Sequence, residues 1–126
     1  MSTLVSVTGA VKIDIFVKDE GAKEATANQL AEQVEAACNV TVFPTRCCFS
    51  DDDSIPSVYV LVLCGTMYAD TLVQAKEQIN QLFPVIKNSG KAFVLECAIR
   101  MYDFNSEMVE TIIKGETDNV ENSDSN

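Results

Sequence analysis

From Thr3 to Lys18 apolar residues recur at the odd positions Val5, Val7, Val11, Ile13, Ile15 and Val17, while Ser6, Thr8, Lys12, Asp14 and Lys18 hold even ones. Strand side chains alternate between faces, so this pattern predicts a half-buried strand, with Gly9 expected to interrupt it as a bulge or tight turn. Leu4 and Phe16 break the alternation, and Phe16 is a candidate contact residue. From Gly21 to Cys38 the spacing turns helical. Ala27, Leu30, Ala31, Val34, Ala37 and Cys38 share one stripe opposite Asn28, Gln29, Glu32 and Glu35, and Asn39 is a suitable stop. Val40 to Phe49 reads as strand again. Pro44 has no amide hydrogen for a ladder, which predicts an edge strand or a bulge there.

Ser57 to Cys64 is the stretch on which the rest turns. It is uncharged, with Val58, Val60, Val62 and Cys64 on one alternating face and Tyr59, Leu61 and Leu63 on the other. Its β-branched and aromatic content, bounded by Pro56 and Gly65, favours a strand. Neither face suits water. One is expected beneath helices, the other beneath a further element of the chain, a second copy or a partner.

Helical spacing returns from Ala69 to Lys87, with Leu72, Ala75, Ile79, Leu82, Phe83 and Ile86 inward and Thr66 or Asp70 as cap. Pro84 should kink or shorten this helix, and Asn88-Ser89-Gly90 should end it. Lys91 to Phe104 forms the last predicted strand, with Phe93, Leu95, Cys97, Ile99 and Met101 on one face and Glu96, Arg100 and Tyr102 on the other. A short amphipathic helix from Ser106 to Lys114 would bury Val109, Ile112 and Ile113. The expected organisation is one α+β domain over residues 1–114, followed by a disordered acidic tail over 115–126.

The order β-α-β-β-α-β over residues 3–104 resembles the ferredoxin-like split βαβ arrangement, a resemblance of element order alone. It implies an antiparallel sheet with two helices on one face, here joined by a short C-terminal helix.

Nineteen acidic residues against nine basic ones leave a net charge of −10, which disfavours nucleic acid and anionic membrane surfaces as partners. The absence of a signal-like N-terminus or a long apolar run points to a cytoplasmic protein whose five cysteines stay reduced. With no histidine, nucleophile–histidine catalysis is excluded, and no catalytic, metal or cofactor residue is assigned. Cys47 and Cys48 are adjacent and would point to opposite sides of a strand, which is a poor grip for a metal. The acidic run Asp51-Asp52-Asp53 lacks the glycine and glutamate spacing of a calcium-binding loop. Tyr59 and Phe93 could serve as sheet aromatics of an RNA-recognition module, but basic residues are too few. The arginine-bearing glycine loop of acylphosphatases is absent.

The expectation is therefore a non-enzymatic protein–protein interaction or assembly protein, a homo-oligomer that self-associates through its sheet. Phe16, Tyr59, Leu61 and Leu63 are its candidate contacts, and the rival cover for that face is the C-terminal helix. Two alternatives stand beside it. One is an acidic inhibitor or nucleic-acid mimic of viral or mobile-element type that fills a basic groove through Asp51, Asp52, Asp53, Glu32, Glu35 and Asp103. The other is a small-molecule-binding regulatory domain with Lys12, Asp14, Glu96, Arg100 and Tyr102 in a helix–sheet cleft.

Overall fold

The first alternating segment becomes strand β1 (Thr3–Ile15) and the first helical stripe becomes α1 (Glu20–Cys38). β2 (Thr41–Arg46), β3 (Val58–Ala69), α2 (Leu72–Ile79), α3 (Leu82–Ser89), β4 (Ala92–Asp103) and β5 (Val109–Lys114) follow. This is a computed structural model that describes residues 2–17, 20–46 and 58–115. The strands form one antiparallel sheet in the order β2-β3-β1-β4-β5.

The core lies between one face of this sheet and the helices. Val5, Val7, Val11, Ile13 and Ile15 of β1 join Tyr59, Leu61 and Leu63 of β3 and Ile99 and Met101 of β4 in it. Leu30 and Val34 of α1 and Ile79, Leu82 and Ile86 of the later helices complete the cluster. Asn39 ends α1 in the left-handed conformation at φ 62°, its amide donating to Glu35 O at 2.8 Å. Pro44 sits in β2 at the sheet edge.

The predicted helix over 69–87 starts later and is split in two. β3 runs on to Ala69, so Thr71, rather than Thr66 or Asp70, caps α2 by accepting from the Gln74 amide at 3.1 Å. The helix breaks at Asn80 and Gln81, and Pro84 falls in the first turn of α3, where an amide hydrogen has no intrahelical acceptor in any case. Gly90 closes α3 at φ 69°.

Gly9 does not interrupt β1. The strand passes through it, and a Cβ there would lie 2.5 Å from the Ala98 carbonyl oxygen, so glycine lets β1 and β4 approach closely. The register shift lies instead between Lys12 and Ile13. It changes the parity of β4. Val94 and Ala92 pair with the buried Ile13 and Ile15, whereas Phe93 pairs with Asp14 and is exposed, against the expectation that it shares a face with Cys97.

Residues 109–114 are strand β5, not a helix. Val109, Thr111, Ile112 and Ile113 are β-branched, and β4 offers a free edge to pair with. A helix would have put Ile112 and Ile113 on one stripe. The strand buries Ile112 and turns Ile113 outward. Lys76 of α2 holds the new edge through Glu110 at 3.0 Å, and the Lys114 ammonium sits 4.3 Å from the Phe83 ring centre.

Candidate functional site

With β5 in the sheet, no element among the described residues covers the face opposite the helices. Strand register fixes what that face displays. Phe43 pairs with Val62, Val62 with Ala10, Ala10 with Ala98, and Ala98 with Ile113. These five residues form one apolar row across all five strands. Val62 and Ala10 are half-buried and Ala98 is exposed, while the ends of the row stand out at 47% exposure for Phe43 and 68% for Ile113. Small side chains at the centre make an open trough of about 560 Å³, lined by Ala10, Val60, Ala98 and Ile113 and by the Lys12–Glu96 pair.

Flanking rows are chemically graded. On one side Thr41, Cys64, Thr8, Arg100 and Thr111 pair in sequence. On the other, Thr45 and Val60 lead to Lys12 and Glu96, which meet at 3.6 Å. Towards the far end Tyr68 and Val109 are exposed on the same face. Phe104 packs edge-on against Tyr102, their centroids 5.2 Å apart. Strand register thus places Phe43, Tyr68, Phe93, Val109 and Ile113, five of the nine large apolar residues exposed among the described residues, on this face, far more than isolated surface residues require.

The structure corrects three of the predicted contacts. Tyr59, Leu61 and Leu63 are on the helix-covered face, 4%, 0% and 1% exposed, and are core residues. Their neighbours Val58, Val60, Val62 and Cys64 hold the open face. The sequence shows that the two sets alternate but carries no mark of which set the helices cover. Phe16 is exposed, stacked on Phe93 with centroids 6.0 Å apart, beside a groove that includes Phe83 and Ile86 at the end of the sheet. Asp51, Asp52 and Asp53 lie outside the described residues, as do Cys47, Cys48 and the tail from residue 116.

The alternative sites are dispersed. Asp103 is buried, accepting from the Thr3 hydroxyl and from the Asn105 amide at 2.8 Å; the Thr3 hydrogen bond is the main reason its carboxyl is held below the usual range. It fastens the turn into β5. Glu35 accepts from the Val42 amide at 2.9 Å and ties α1 to β2. Both are therefore engaged in the fold. Lys12, Asp14, Glu96, Arg100 and Tyr102 belong to the open face by register, not to a helix–sheet cleft.

Reactive groups are equally sparse. Cys38 is buried against the Ile79 carbonyl at 3.4 Å, and desolvation pushes its thiol up to about 11. Burial also raises Cys97. Among the described residues no three cysteine, aspartate or glutamate side chains gather as a metal site, and no helix is long and apolar enough to cross a membrane. No protein-family model matches the chain, and no curated protein matches its sequence.

Proposed function

We propose that the chain is a ferredoxin-like domain widened by a fifth strand, and that it works as a non-enzymatic assembly protein by self-association through its open sheet face. The fold reading is supported by the two βαβ connections, which leave β3 between β1 and β2 and put β4 on the other side of β1. A reducing compartment such as the cytoplasm suits a contact face that carries Cys64 as a free thiol.

One observation carries the functional reading: an unbroken apolar row, Phe43, Val62, Ala10, Ala98 and Ile113, crosses the whole sheet on the side the helices leave bare. Apolar surface of this extent gains free energy on leaving water, at about 25 cal/mol for each Å² removed. Few convergent polar groups border the trough, since Lys12 and Glu96 already pair with each other and the Lys114 ammonium sits over the Phe83 ring, so it lacks the anchors that orient a small ligand. A broad, open face with an apolar row between polar borders fits another protein surface better than a metabolite.

The test is Val62→Asp, which places a carboxylate at the middle of the row without touching the core. The native chain should elute from a sizing column ahead of a monomer, and the variant at the monomer position with an unchanged circular dichroism spectrum. Identical elution of both at the monomer position would refute the reading.

A further inference from the structure

We infer that the open face is matched to a second copy of the chain by a two-fold axis running across the strands, along the Phe43–Ile113 row. In that arrangement Arg100 of each copy faces the partner's Glu96. The inference rests on the self-association proposed above and adds its geometry.

Size permits it. With strands about 4.8 Å apart and about 3.4 Å per residue, three strands of twelve or thirteen residues and two of six present about 800 Å² per chain, the usual share of a stable interface. Charge selects the axis. Arg100 and Glu96 lie two residues either side of Ala98 on β4, and the outward-facing residues two positions apart share one face. Rotation about the row carries one side of the face onto the other, so Arg100 meets the partner's Glu96 twice in the dimer.

The same rotation sets Val60 over the partner's Cys64, Thr45 over the partner's Thr41 and Lys12 over the partner's Thr8. Apolar meets apolar, hydroxyl meets hydroxyl, the Lys12 ammonium meets a hydroxyl that can accept from it, and no two charges of one sign are opposed. An axis along the strands would instead lay Lys12 over the partner's Lys12 and strand Glu96 above Val60. Sheets packed face to face stand about 10 Å apart, a gap that an arginine and a glutamate reaching towards each other can span. The small Ala10 and Ala98 let the sheet centres approach.

The test is a pair of charge reversals, Arg100→Glu and Glu96→Arg, each made in the full chain. Alone, each variant sets like charges against each other at both symmetric positions, and its self-association should weaken by about 100-fold. Mixed, the two should form a heterodimer of near-native affinity, because each chain then offers the charge the other lacks. An unfolded variant could not be rescued by mixing, so recovery separates repulsion from misfolding. Homodimers of either variant as tight as the native one, or a mixture that stays monomeric, would overturn this axis while leaving self-association standing. A native chain that is monomeric throughout would overturn both.

Discussion

Leu61 and Val62 are neighbours on one strand and live in different solvents. Leu61 has no exposed surface and packs among helices, whereas Val62 is half-buried within a bare apolar row. The covered face is finished within one chain: its strand residues and the helical stripes fit into a single core. The open face carries an apolar row between polar ones, without a cover. Apolar residues on the covered face hold the fold together, and those on the open face are left over by it, available for the contact proposed above.

Mutations on the two faces should differ in effect, and the greatest loss of stability is expected in the core. Leu61→Ala should lower unfolding free energy by about 2–5 kcal/mol through lost burial and a residual cavity. Val62→Ala should cost the isolated monomer under about 1 kcal/mol, yet weaken association. Urea unfolding at concentrations low enough to keep both variants monomeric checks this. Equal losses at the two sites would dissolve the distinction between the faces.

Gly9→Ala comes next. The added methyl meets the Ala98 carbonyl at 2.5 Å and Ile99 Cα at 2.6 Å, both backbone, so relief requires β1 and β4 to separate. A loss of about 1–3 kcal/mol is expected, read as a lowered melting temperature.

A smaller effect follows from Asp103. Its carboxyl is held low chiefly by the Thr3 hydroxyl, so its stabilising effect is complete above the ordinary aspartate value of about 3.9 and fades as pH falls through the lower native value. Asp103→Asn should melt earlier than the native chain at neutral pH, with the gap narrowing below about pH 4. A constant gap across the acid range would contradict this role. The smallest change is expected for Lys76→Ala. Its bridge to Glu110 is partly exposed and should contribute under about 1 kcal/mol, measurable by denaturant titration.

Much of this contrast was legible in the sequence, but not its sign. Alternation in residues 3–17 and 58–64 located the strands, the stripe from Ala27 to Cys38 located α1, and Pro44 marked the sheet edge. Two misreadings have physical causes. Residues 109–114 fit an amphipathic helix and a β-branched strand equally well over so short a length, and the free edge of β4, a long-range partner, favours the strand. The register shift at Lys12 and Ile13 is a pairing event between distant segments, so the exposure of Phe93 could not be inferred from local spacing. The sequence marks the candidate site as a strand but not its side, since alternation separates two faces without naming the one the helices cover.

Thiol chemistry sharpens the same contrast. Cys38 is buried and its thiol is shifted to about 11, so it should resist alkylation in the native state, whereas Cys64 is partly accessible on the open face. Peptide-resolved labelling should show Cys64 reacting in dilute protein and becoming protected as concentration rises. Cys38 should stay silent throughout.

The most direct measurement is sedimentation equilibrium of the full chain across a concentration series. The expected mass climbs from 13.8 kDa to twice that value and stops there, as a closed two-fold pair requires. A mass that stays at 13.8 kDa up to the highest concentration reached would contradict it.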